Sequence, residues 1–497
     1  MASLTPTEER KRRISVRTKL AFSSGSLEEA MIGAAGIATM IFYNQVLGVS
    51  AALCGTAFMI ASIVDAISDP LIGALSDSIR TRWGRRHPFM FLSAFPLALC
   101  FYLMYQPPEG SSEYALFWWF TVTMVGLRLS KTFYAVPHSA LGAELTDDYN
   151  ERTSIFGWNW VVGMAGGIAL YFVVLYLIFP TTPEYENGLL NPDRYQLLAL
   201  FGAVFCFLAI MVCTFATSDQ IPYLHQLESL QERTKRAYKT VLREIWINMK
   251  ALVVNPSYLS VCLCWLILAI SGGVIAVVGT YAFIYGFDFT TEQIFYQQFV
   301  RLPGALLAVV LAAWLTSLLD KKYTVISMIA FTTFMIGLPY CLRLLGWFPE
   351  NGSDWLIPAF LLIWAVAFTT LPIVPIVIDS QLVDVADDHE LKTGNRAEGI
   401  IFSVRTFAIK LTQGLGGLIG GFGLEFIGFP ENATKEMITP EMVNGLFFMM
   451  GPLYYIIVYG GLGFAFMYKI DKARHDEILK ELEVRRKQQV EAEPSIS

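Results

Sequence analysis

Charge is scarce in this chain. Only 16% of its 497 residues are Asp, Glu, Lys or Arg, 55% are hydrophobic, and the mean hydropathy is +0.50. That balance excludes a soluble globular protein of this length. Histidine is scarcer still, five in all. With no nucleophile motif and no glycine-rich phosphate loop, neither an enzyme nor an ATP-driven pump is indicated, and no cofactor is expected. The seven cysteines fall almost entirely in apolar runs without metal-type spacing and read as small core residues. Met1 to Ser15 is polar and basic, so no cleavable signal is expected ahead of the first apolar run. The formal net charge of −6 says little about partners, because charges in such a chain sit in loops and tails; no nucleic-acid partner is expected.

What the chain does have is long hydrophobic runs. A window of about 20 residues yields twelve expected spans, at 18–46, 50–77, 88–106, 114–143, 153–178, 196–215, 257–285, 292–318, 323–343, 354–380, 397–425 and 443–468. The expected fold is therefore an all-α polytopic membrane protein embedded in a lipid bilayer. Its parts are an N-terminal tail (1–17), a six-helix bundle (18–215), a polar middle loop (216–256), a second six-helix bundle (257–468) and a C-terminal tail (469–497). Within the middle loop, Gln226 to Lys250 reads as an amphipathic or surface helix. The final tail, from Lys469, reads as a short helix ending in disorder. On the side opposite both termini only Arg194, Arg343 and Lys435 are basic, which places both termini in the cytoplasm of a cell (inner) membrane.

The two halves echo each other. Asp147-Asp148 follows the fourth span and Asp387-Asp388 the tenth, 240 positions on, and the basic turn Arg80 to Arg86 is matched by Asp320-Lys321-Lys322. Such parallel repeats are expected where two six-helix halves enclose a substrate near the membrane midplane.

The sharpest local signal is Val64-Asp65-Ala66-Ile67-Ser68-Asp69-Pro70, inside an apolar run from Ser50 to Leu75. A carboxylate at mid-bilayer costs roughly 2.5–3.5 kcal/mol, so two of them are expected to have a use. At i and i+4 both project from one helix face, with Ser68 beside them, and such oxygens suit Na⁺ or a transferable proton.

Three stretches carry a resemblance across nearly the whole chain: Asp65 to Gly73 followed by Arg82-Trp83-Gly84-Arg85-Arg86, Pro137 through Thr153, and Asp384 through Lys410. They resemble the major facilitator superfamily, in its glycoside-pentoside-hexuronide:cation symporter branch, the melibiose permease-like transporters. The resemblance implies the major facilitator fold. It also implies a coupling cation held by Asp65 and Asp69, metal ligands if the ion is Na⁺, with Ser68 between them and Thr132 on the fourth span nearby. Lys410 on the eleventh span is implied as the coupling lysine that faces the acids.

The family's sugar-binding acid and arginine are replaced here by Ala135 and Trp160. Arg128 and Lys131 add positive charge on the fourth span, Glu28 and Glu29 negative charge on the first, and Trp158 and Trp160 offer stacking surfaces. A pocket that loses an acid and gains a base favours an anionic or less hydroxylated substrate. The alternatives for Arg128 and Lys131 are snorkelling or pairing with the first-span acids. Arg85, Arg86, Asp147, Asp148, Asp387 and Asp388 are expected to form a cytoplasmic latch between the halves. The function expected is symport of a sugar, glycoside or sugar acid with Na⁺ or H⁺ by a monomer; the alternative is a sodium-coupled symporter of a lysophospholipid or other anionic amphiphile.

Overall fold

The computed structural model describes residues 13–79, 81–146, 148–224, 252, 254–394 and 398–492. The expected surface helix at Gln226–Lys250 and the latch residue Asp147 lie outside them. The described residues form α1 (Val16–Ser23), α2 (Ser26–Ile41), α3 (Ala51–Ser78), α4 (His87–Met104), α5 (Glu113–Glu144), α6 (Tyr149–Phe172), α7 (Arg194–Ala216), α8 (Pro256–Tyr281), α9 (Thr291–Val300), α10 (Leu302–Leu344), α11 (Leu356–Thr370), α12 (Ile373–Thr393), α13 (Glu398–Phe426), α14 (Pro440–Phe448), α15 (Tyr454–Leu462) and α16 (Lys472–Ala492). Among the described residues, eight helical stretches are long and apolar enough to cross a membrane.

The helix starts have local causes. Ser50, Ser112 and Asp148 cap α3, α5 and α6, their side-chain oxygens accepting from Leu53, Ala115 and Glu151 backbone N–H groups. Pro70 inside α3 has no N–H to offer the Ala66 carbonyl, so the backbone ladder is interrupted one residue past Asp69.

The chain divides into two compact units. The first contains α1 to α7 together with residues 273–299 and 413–446. In it, α4 packs on α5 and α7, α3 on α5, and α2 on α6 and α7. Glycines set how closely some of these helices approach. A Cβ on Gly421 would stand 2.2 Å from the Ala51 carbonyl oxygen, and one on Gly55 2.8 Å from that of Gly417. Near the same end, Tyr281 donates to Asn44 Oδ1 at 2.6 Å and Tyr285 to Gln45 Oε1 at 2.8 Å.

A backbone repeat is visible within this unit. After Ile41 the chain widens into a π turn in which Leu47 N–H bonds to Phe42 O and Val49 N–H to Tyr43 O, around Gly48 at φ 76°. The same pair of bonds recurs 240 positions on, Phe287 to Ala282 and Phe289 to Phe283, around Asp288 at φ 52°.

The second unit contains residues 229–272, 300–412 and 447–497. Here α10 packs on α11, α12 and α15, and α16 packs on α12. The expected break between 318 and 323 shrinks to one residue, Asp320, at φ 64° and ψ 158° within α10. The C-terminal tail is not simply a solvated helix: Ile478 and Leu482 of α16 are buried.

Candidate functional site: a hydroxyl between two carboxylates

Asp65, Ser68 and Asp69 project from α3 toward α5, and α5 answers with Thr132. Its hydroxyl oxygen lies 3.1 Å from Asp65 Oδ1, 3.1 Å from Asp69 Oδ1 and 3.2 Å from Ser68 Oγ. Asp65, Ser68 and Thr132 are buried and Asp69 is half-buried. One threonine proton cannot satisfy both carboxylates at once. The four side-chain oxygens converge on one point, the donor set a small hard cation takes.

Arg128, one turn before Thr132, reaches Asp65 Oδ2 at 3.4 Å, a long ion pair with the arginine side chain 32% exposed. Lys131, from the same turn, holds Glu29 Oε1 of α2 at 2.9 Å. Arg128, Lys131 and Glu29 line a cavity of about 330 Å³, whose wall also includes Phe58, Phe101, Tyr105 and Gln413. That volume is at the lower end of small-molecule sites. Its wall combines two cations, one acid and aromatic faces, with the Thr39 and Tyr105 hydroxyls 2.8 Å apart.

The remaining sequence-derived residues are distributed unevenly. Glu28 is buried at 1% exposure and is not part of the cavity wall, whereas its neighbour Glu29 is. Trp158 and Trp160 on α6 are 37% and 54% exposed, and neither lines the cavity. Lys410 lies on α13 in the portion assigned to the second unit and is half-exposed. His138 is a packing residue, stacked on Phe22 at 4.3 Å and bonded to its carbonyl oxygen.

The placement of two expected latch residues requires a correction. Asp387 and Asp388 lie on no turn: both are buried inside α12, because neighbouring groups satisfy them. Asp388 accepts from Asn255 at 3.0 Å and Lys392 at 2.6 Å, and Asp387 faces His475 at 3.3 Å. Arg85 and Arg86 are both held by Glu144 of their own bundle, at 2.7 and 2.8 Å. Asp148 serves as the α6 cap.

One group, Glu144, escaped the sequence reading, and the partners of a second, Arg405, were not legible in it. Glu144 carries no motif of its own beyond standing at a helix end. Arg405 is explained only in three dimensions, by Asp379 at 2.7 Å and the Trp265 ring at 4.8 Å.

Comparison with known proteins adds identity to this geometry. Residues 21–472 match the model of the family described as MFS/sugar transport protein. Among relatives, the chain is 25% identical to a protein of Escherichia coli (strain K12) named for glycoside/cation symport, YagG, over 91% of each chain. It is 26% identical to the isoprimeverose transporter of Lactiplantibacillus pentosus, covering 80% of this chain and 77% of that one. It is also 26% identical to the glucuronide carrier protein homolog of Escherichia coli (strain K12), covering 87% and 88%. Among solved structures, a D-xylose-proton symporter superposes with a TM-score of 0.58 at 14% identity, covering 90% of this chain and 97% of that one; it speaks to the fold alone. The chain thus belongs to the MFS/sugar transport family, in the glycoside-pentoside-hexuronide:cation symporter branch, and is a membrane transporter rather than an enzyme.

Proposed function

We propose that the chain is a secondary symporter that uses the downhill flow of Na⁺ or H⁺ to accumulate a sugar, glycoside or sugar acid. One observation carries this reading: the Thr132 hydroxyl sits between the Asp65 and Asp69 carboxylates, one turn from the Arg128 and Lys131 side chains that line the cavity. A cation entering the oxygen cluster neutralises carboxylate charge beside Arg128, so cation and substrate sites are coupled through one turn of α5. Filling one alters the field at the other.

Arg128, Lys131 and Glu29 are then the polar contacts for substrate, with Phe58 and Tyr105 as apolar surfaces. Two cations against one acid favour sugar acids over neutral sugars. The names of the relatives, which include a glucuronide carrier homolog and an isoprimeverose transporter, support both classes. Lys410 takes the coupling role by the family pattern.

The arrangement of twelve spans in two six-helix repeats, with both termini cytoplasmic and alternating access to a midplane site, belongs to the same reading. The 240-residue recurrence of the π turn supports it. So does the one-sided distribution of Lys and Arg.

The test is uptake in proteoliposomes of a panel containing a neutral glycoside and a glucuronide, with Na⁺ and pH gradients imposed separately. Gradient-driven accumulation of at least one is expected, with the glucuronide preferred. Equal equilibration of every compound with or without a gradient would refute symport, and uptake of lysophospholipid instead of any sugar would replace the substrate assignment.

A further inference from the structure

Glu28 is the acid that the scheme above leaves unused. It lies in the first turn of α2 with 1% exposure, and its Oε1 has no hydrogen-bond partner. Helices α6 and α7 pack over α2, and α7 brings Cys206 Sγ within 4.0 Å of the Glu28 carbonyl oxygen. The charged groups facing the carboxyl are Lys131 of α5 and the adjacent Glu29, with Tyr134 and Cys206 the other ionisable neighbours.

Lys131 could neutralise Glu28 but is committed to Glu29 at 2.9 Å. Glu29 needs that partner far less, since 72% of its side chain is exposed. A carboxylate buried among apolar helices with an oxygen left unbonded is disfavoured relative to the neutral acid.

We propose that Glu28 is a proton-binding site separate from the Asp65, Asp69 and Thr132 oxygens, occupied while Lys131 pairs with Glu29. When Lys131 swings from Glu29 to Glu28, the carboxyl O–H bond breaks and the proton leaves by way of the neighbouring Glu29 side chain, 72% exposed, to solvent. The ammonium keeps its own protons, and Glu29 is left to water or to hydroxyls of a bound sugar. Filling the cavity and protonating Glu28 then oppose each other reciprocally. That consequence rests on the symporter reading; the protonation of Glu28 does not.

Infrared spectroscopy of the purified full-length protein at neutral pH, in the carbonyl-stretching region of protonated carboxylic acids, tests the site without any ligand. The account expects a band that is lost in Glu28→Gln and retained in the Asp65→Asn/Asp69→Asn double variant. In Glu29→Gln, where Lys131 is released to Glu28, the band disappears at neutral pH and returns on acidification. No band in the unmodified protein, or a band unchanged by Glu28→Gln, overturns the proposal. Should Glu28→Gln fail to purify as a monodisperse protein, Glu29→Gln decides, and an undiminished band there overturns it. Loss of sugar accumulation plays no part in either readout, so failure of the transport reading remains distinguishable.

Discussion

Two acids, Asp65 on α3 and Asp384 on α12, are buried to nearly the same degree and held by different partners. The Asp65 side chain is 6% exposed and that of Asp384 is 4% exposed. Asp384 is saturated: Lys321 Nζ stands 2.7 Å from both of its oxygens, Tyr468 donates at 3.0 Å, and His475 lies at 3.4 Å. Asp65 has a threonine hydroxyl shared with Asp69 and an arginine at 3.4 Å. Burial alone does not separate a fastener from an ion site. The kind of partner is the sharper guide: a lysine fastens both oxygens of Asp384, whereas Asp65 and Asp69 share one hydroxyl oxygen, the geometry that the proposed ion site requires.

The largest effect expected from breaking this contrast is in transport. Asp69→Asn should lower gradient-driven accumulation by on the order of tenfold or more, given about 1.5–3 kcal/mol for interactions of a charged group, and leave the melting temperature nearly unchanged. Asp384→Asn should do the reverse. Removing one partner from a buried pair costs up to about 3–5 kcal/mol, reduced here because Lys321 is 28% exposed, so thermal unfolding should shift down by several degrees. Thermal shift and uptake measured on both variants separate the two roles, and a destabilised Asp69→Asn with intact coupling would reverse the assignment.

Thr132 sharpens the comparison further. Thr132→Ala removes the hydroxyl between the acids and should weaken apparent cation affinity about tenfold, whereas Thr132→Ser should stay within about threefold of the unmodified protein. Equal behaviour of the two in cation-dependence curves would mean that the hydroxyl is not a ligand.

The smallest effect is expected at Glu186 and Lys435, a pair whose side chains are 71% and 64% exposed. The Glu186 carboxylate, by hydrogen bonding, holds the Lys435 ammonium above its usual range. A raised lysine contributes stability that is fully present below its unfolded value, about 10.5, and is lost as pH rises through the higher folded value. Glu186→Gln should therefore cost no more than about 1 kcal/mol at neutral pH and remove a stability loss confined to strongly alkaline solution. A pH–stability curve of the two proteins checks this.

Much of the fold was legible because apolar runs of bilayer length are a one-dimensional signal. The helices lie close to the expected spans, although the first is divided near Gly25. There a Cβ would come within 2.1 Å of the Tyr134 hydroxyl. The i, i+4 spacing of Asp65 and Asp69 was legible for the same reason. The partners were not, because helices that are apolar on most sides carry little record of which face meets which neighbour. Phe58, Tyr105 and Gln413 look like any other span residue until α2, α3, α4, α5 and the 413–426 part of α13 are assembled around the cavity. The Asp387-Asp388 pair misled in the other direction. Charge near the end of a span reads as a turn, yet α12 continues to Thr393 because Asn255, Lys392 and His475 satisfy the acids.

The most direct measurement compares net accumulation with exchange in proteoliposomes holding the Asp65→Asn/Asp69→Asn double variant, using the best substrate of the panel. If these oxygens capture the driving ion, the variant equilibrates the sugar across the membrane and exchanges it but no longer concentrates it under either gradient. Concentration to the level of the unmodified protein would contradict the account.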